Sequence, residues 1–190
     1  MRGFNLSGVS LGDAAIRSFL KASVDAQVIP NTWRGIFVEH LVAVVLGADY
    51  RATDFWSSWD IEHVSGFRIE VKQSAALQTW TKAERETSAA DPSFDIKERK
   101  GYWEGDDWVE KPGRHAALYV FAWHPIQDPA TADHRDADQW LFYLARTEDL
   151  PATQRVRLKW LRERCGEVAI GALAAEVEGI RKHLGVLRDG

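Results

Sequence analysis

Residues 56–73 constrain the fold more than any other stretch, because apolar and polar residues alternate on both sides of one turn signal. In WDIEHVSGFRIEVKQS (59–74), Ser65-Gly66 separates two half-buried strand patterns, 56–64 and 67–73. A three-residue loop, Val64-Ser65-Gly66 with Gly66 at positive φ, pairs His63 with Phe67, Ile61 with Ile69 and Trp59 with Val71 on one apolar face. The opposite face then carries Asp60 across from Glu70 and Glu62 across from Arg68, with Lys72 two residues beyond Glu70. A two-residue loop would set Asp60 against Val71 and Ile61 against Glu70, mixing polar and apolar groups on both faces. A one-residue slip moves every side chain to the wrong face, so the pattern selects the three-residue turn.

The remaining chain supplies helices and buried strands around this hairpin. Residues 13–28 place Ile16, Phe19, Leu20 and Val24 at helical spacing, with Pro30 as a stop. Asn31 and Thr32 are N-cap candidates for a second helix, Trp33 to Leu46, closed by Gly47. AALYVFAW (116–123) and WLFYLA (140–145) are continuous apolar runs, expected of central strands covered on both faces. Pro125 to Asp138 between them reads as an acidic loop. The C-terminal third predicts a helix at 153–165, a short strand near Val168 to Ile170 and a last helix at 171–184. Residues 78–114 have no clean period and hold Trp80, Phe94, Tyr102, Trp103 and Trp108. So long an irregular segment is functional, mobile or conceals a short element. The order predicts an α/β fold, a central mixed sheet flanked by helices. A length of 190 residues suits a single domain over 1–190 with an irregular insertion at about 78–114.

Composition narrows the function classes. Hydrophobic residues at 45% and charged residues at 27% exclude a disordered chain. No apolar run reaches the ~20 residues that span a bilayer, and the N-terminus lacks the apolar core of a signal peptide, so no membrane partner and a cytoplasmic location are expected. The single cysteine, Cys165, removes a disulfide framework and a Cys-based zinc site. The loops and motifs of P-loop NTPases, dinucleotide binders, zinc proteases and α/β-hydrolases are missing, and the six histidines show no compact ligand spacing. With 24 Lys+Arg against 28 Asp+Glu, the net charge of −4 gives no global attraction to nucleic acid. Any nucleic-acid surface must concentrate its positive charge locally.

The hairpin is where chemistry is expected. Glu70 and Lys72 lie about 6.6 Å apart along one strand face, and Asp60 is placed opposite Glu70. Two facing carboxylates repel unless a cation joins them, and a hard divalent ion such as Mg²⁺ suits oxygen ligands. Such an ion polarises a phosphoryl oxygen and lowers the pKa of a bound water. Lys72 could orient or deprotonate that water, or stabilise charge growing on a phosphorane. Glu39 adds a third carboxylate on a helix that is apolar almost all round, where it needs a partner.

Asp60, nine intervening residues, then Glu70-Val71-Lys72, preceded by a helix bearing Glu39, resembles the PD-(D/E)xK nuclease superfamily. The resemblance covers about residues 31–74 by motif and extends to about 185 by element order. It implies a restriction-endonuclease-like fold and a Mg²⁺- or Mn²⁺-dependent endonuclease, with DNA as the expected nucleic-acid substrate. By family role Asp60 and Glu70 hold the metal, the Val71 carbonyl assists, and Lys72 serves the attacking water. Glu39 matches the helix glutamate used as a further ligand or water anchor, and Gln73 matches a position that contacts phosphate in several branches. Trp59 stands where the motif has Pro, and the helix expected between the hairpin and the next strand is not evident in 74–114. Nucleases that cut both strands often dimerise, so a homodimer is a further expectation. The alternative is a catalytically inactive nuclease-fold module that binds nucleic acid or a protein partner. A third reading places the site of an unrelated α/β enzyme in the 78–114 loop.

Two basic features complete the candidates. In TQRVRLKWLRERC, Arg155, Lys159 and Arg162 fall at i, i+4 and i+7, a stripe suited to backbone phosphate or to plain solvation. Arg99, Lys100 and Arg114, interleaved with Tyr102 and Trp103, suit nucleic acid by charge and stacking, or pin the loop to the body.

Overall fold

The computed structural model describes residues 10–54, 56–79 and 91–188. Trp80 and residues 1–9 of the N-terminal stretch read for a leader lie outside the described residues. Helices α1 (Leu11–Val24) and α2 (Asn31–Leu46) lead into strands β1 (Tyr50–Ala52), β2 (Ile61–His63) and β3 (Arg68–Ala75). Three short strands follow, β4 (Ser93–Asp95), β5 (Tyr102–Glu104) and β6 (Asp107–Val109), and then β7 (Leu118–His124) and β8 (Leu141–Arg146). The chain closes with β9 (Arg155–Arg157), α3 (Leu158–Arg164), β10 (Glu167–Ala169) and α4 (Ile170–Arg188).

Six strands form a mixed sheet in the order β1-β2-β3-β7-β8-β10. Only β3 and β7 run parallel, with Glu70 beside Tyr119 and Lys72 beside Phe121. Period-2 alternation sorts the side chains between two cores. On one face Ile69, Val71, Leu118, Val120, Ala122 and Phe142 meet Val38 and Val42 of α2 and Leu173 and Val177 of α4. On the other, Tyr119, Phe121, Trp123 and Tyr143 are covered by Phe94, Val156, Leu158 and Leu161. Every residue of β7 is therefore buried, as its unbroken apolar run requires. No helix among the described residues is long and apolar enough to cross a membrane.

Three expected boundaries are corrected. Helix α2 begins at Asn31 itself after Pro30, without a side-chain cap. The Asn31 oxygen accepts instead from Arg34 Nη2 at 2.8 Å and Gln73 Nε2 at 3.1 Å. The strand expected over 56–64 is confined to β2, and the preceding β1 pairs with it, Tyr50 opposite His63. The helix expected over 153–165 starts only at Leu158, because Arg155–Arg157 extends to pair with β4, Phe94 opposite Val156. The described part of the 78–114 stretch does hold short elements: β4 and the β5–β6 hairpin, which turns at Gly105 (φ 62).

Candidate functional site

The turn between β2 and β3 takes the register the alternation selects. Gly66 has φ 80, its N–H donates to the His63 carbonyl at 2.8 Å, and His63 N–H donates to Phe67 at 2.8 Å. Ile61 then stands opposite Ile69 and Glu62 opposite Arg68. Beyond Ile61 the ladder slips. Asp60 N–H donates to the Ile69 carbonyl at 3.0 Å, and the Asp60 carbonyl accepts from Thr53 N–H at 2.9 Å. Continued pairing would have Val71 N–H bond the Trp59 carbonyl, but the Thr53 hydroxyl holds that carbonyl at 2.5 Å. The Asp60 carboxylate takes its place and accepts from Val71 N–H at 2.7 Å. The expected Trp59–Val71 pair is thus corrected. Trp59 lies in the opposite core with Tyr119 and Phe121, its ring 3.6 Å from the Arg68 guanidinium.

Glu70 is only 3% exposed, on the sheet face of Tyr119 and Phe121. A carboxylate so buried needs charged partners, and it has two: Lys72 Nζ at 2.5 Å and Arg99 Nη2 at 3.6 Å. The Asp60 carboxyl is pushed up to about 7, chiefly by burial and next by the charge of Glu70; Lys72 and the Val71 N–H pull the other way. Glu39 is also raised, first by burial, with Lys72 lowering it and Glu70 raising it. Asp60, Glu70, Lys72 and Glu39, drawn from β3, its hairpin neighbour and α2, therefore sit in one another's fields. Three carboxylates form the hard-oxygen donor set that Mg²⁺ prefers, and the raised proton affinity of Asp60 and Glu39 is what a cation would relieve. In the described arrangement protein cations hold the Glu70 oxygens and an N–H holds Asp60, and among the described residues no group of three His, Cys, Asp or Glu side chains is placed to bind a metal ion.

The other candidates separate. The Val71 side chain is in the α2-facing core. Gln73 points to α2, where it accepts from Arg34 Nε at 2.6 Å and donates to the Asn31 carbonyl at 3.3 Å. Arg155 lies on β9, not on a helix, so the stripe is broken at its first member. Lys159 Nζ lies 3.9 Å from Glu163, and Arg162 hydrogen-bonds Tyr143. Arg114 donates to the carbonyls of Ile96, Pro151 and Thr153 at 2.8, 2.9 and 3.0 Å, which makes it a strut.

Two groups that sequence reasoning did not assign to the site border it. Arg99 reaches Glu70 from an isolated bridge to Gly113, a pairing without a sequence signal. His115 packs 4.9 Å from the Tyr102 ring, and burial, Lys111 and Arg68 hold it below the usual imidazole range, against the pull of Glu70. Away from the site, Arg34 is fully buried and lowered to about 10 by that burial, beside His124 and His134. Compared with protein-family models, curated proteins and solved structures, the chain matches none.

Proposed function

We propose that this protein is a metal-dependent phosphodiesterase of PD-(D/E)xK type that cleaves nucleic acid, with DNA as its substrate. The observation that carries the reading is that Asp60, Glu70, Lys72 and Glu39 lie close enough to act on one another's charge, around an Asp60 carboxyl pushed up to about 7 chiefly by burial and next by Glu70. Asp60, Glu70 and Glu39 would hold Mg²⁺ or Mn²⁺ with the Val71 carbonyl. When bound, the ion supplies Lewis-acid activation of a phosphoryl oxygen and of water. Lys72, which lies against Glu70, would orient the attacking water and meet negative charge growing on phosphorus. The Val71 N–H holds the Asp60 carboxylate against β3, beside Glu70 and Lys72.

Incubating plasmid and linear DNA with Mg²⁺, Mn²⁺ or EDTA tests this. Cleavage is expected with either ion, lost in EDTA and lost in Asp60→Ala, Glu70→Ala and Lys72→Ala. Cleavage that survives chelation, or a fully active Asp60→Ala, overturns the assignment. Strand binding without cleavage under all ions would favour the inactive binding module, in which Lys72 and Arg99 permanently neutralise Glu70.

A further inference from the structure

The ground beside Glu70 carries more positive charge than its ion pairs use. Arg99 spends one edge on the Glu70 carboxylate, yet its side chain is 58% exposed. A guanidinium has five donors in a rigid fork, and one pair leaves most of them for an incoming oxyanion. Arg68 lies on the same strand face two residues before Glu70, its guanidinium 3.6 Å over Trp59 and 5.7 Å from Tyr102. Those rings hold it flat while Glu62 takes Nε at 3.5 Å. Lys111 is exposed, has no ion pair among the described residues, and lies close enough to His115 to act on it. Nε2 of that His115 is buried without a hydrogen-bond partner among the described residues. The Glu70 carboxylate beside Arg99 is buried, whereas Arg99 and Lys111 are exposed, so their charge faces solvent, with exposed Glu98 and Glu110 as sequence neighbours.

We propose that Arg99, Arg68 and Lys111 form a cleft beside Glu70 that binds the phosphodiester backbone of a nucleic-acid strand without metal. This deepens the phosphodiesterase reading by giving the strand its seat, but it does not require cleavage. The planar fork of arginine matches phosphate oxygens, and such contacts seat a strand without reading its sequence. Arg114, close in sequence, is set apart because three carbonyls hold its Nε and Nη2 and tie it to the body of the fold.

The test is fluorescence anisotropy of labelled single-stranded and duplex oligonucleotides with the metal-free protein in EDTA, across a salt series. Wild-type affinity should fall linearly with salt on logarithmic axes. Arg99→Gln and Lys111→Gln should each reduce the slope by about 0.7 for a single strand or 0.9 for a duplex, weakening binding roughly five- to tenfold near 0.1 M salt. Arg99→Lys should restore most of the slope, and Lys182→Gln, on the far helix, should change neither quantity. Lys111 is not an ion-pair partner of Glu70, so its variant decides the matter even if Arg99→Gln folds poorly. Absence of wild-type binding at low salt, or an unchanged slope in Lys111→Gln, overturns the cleft. Displacement of the oligonucleotide by inorganic phosphate at matched ionic strength also overturns it, because a free-anion site would then explain the binding. Strand binding that depends on Arg99 and Lys111, without cleavage under Mg²⁺ or Mn²⁺, supports the cleft and removes the phosphodiesterase.

Discussion

Asp60→Asn should make the metal-free protein more stable, and by an amount that depends on pH. The Asp60 carboxyl is pushed from 3.8 to about 7, first by burial and then by Glu70. Each pH unit between the folded and unfolded values is worth 1.36 kcal/mol, so keeping Asp60 ionised in the fold above neutrality costs about 4 kcal/mol. A raised carboxyl keeps its proton in the fold after the unfolded chain has released it. Its contribution to stability is therefore whole below 3.8, falls as pH rises, and is lost by about 7. Asparagine removes the charge but keeps an oxygen that can accept from Val71 N–H. The variant should gain about 4 kcal/mol near pH 8, roughly 2 near pH 5 and almost nothing near pH 3.5. At roughly 2–4 °C per kcal/mol for a chain of this size, its Tm near pH 8 should rise by about 10 °C. Thermal melts and urea denaturation in EDTA at the three pH values measure this directly. A variant no more stable than wild type near pH 8, or one whose gain is the same at every pH, refutes the reasoning.

Three further outcomes follow from the packing. His134 Nδ1 accepts from Ile29 N–H at 3.0 Å, and burial, with Arg34 and His124, lowers the ring to about 4. The unfolded chain then takes a proton the fold refuses, so about 3 kcal/mol should be lost as pH falls from about 6.5 to about 4, and His134→Gln should flatten that limb in urea denaturation. Phe121 is fully buried in the middle of the sheet, and Phe121→Ala should cost about 3–5 kcal/mol by chemical denaturation. A Cβ at Gly101 would collide with the Val109 carbonyl and the Trp108 ring, so Gly101→Ala should displace the β5–β6 hairpin at a cost of about 1–3 kcal/mol, read from tryptophan fluorescence and melting.

What could be read from sequence was local and periodic. Gly66 punctuates two alternating runs, and the turn and register beside it follow from steric and burial rules alone. The apolar runs became β7 and β8 for the same reason. The slip at Asp60 was not legible, because it depends on the Thr53 hydroxyl claiming the Trp59 carbonyl, a contact between strands that alternation does not encode. Arg155-Val156-Arg157 fits a helix and a strand equally well, and its pairing with β4, distant in sequence, decides for strand. The grouping of Asp60, Glu70, Lys72 and Glu39 was foreseeable once the hairpin register and the apolar helix were combined. Arg99 was not, since the bridge that delivers it to Glu70 lies in a stretch without period.

The parallel pairing of β3 with β7 turns residues 76–117 into one long excursion that leaves the sheet and returns to it. The entropy of closing such a loop grows only logarithmically, so doubling its length costs about 0.6 kcal/mol. At the tip of the β5–β6 hairpin, a side chain grown from Gly105 would meet no atom within 4 Å. The hairpin is carried on the stretch of chain between Arg99 and Gly113, whose bridge closes it and whose arginine touches Glu70. A whole recognition domain could be spliced into the chain at Gly105–Asp106, on the loop that ends at Arg99, while the cores on both sheet faces stay as they are. The fold thus offers a natural socket for changing which target is brought to the site without rebuilding the site itself.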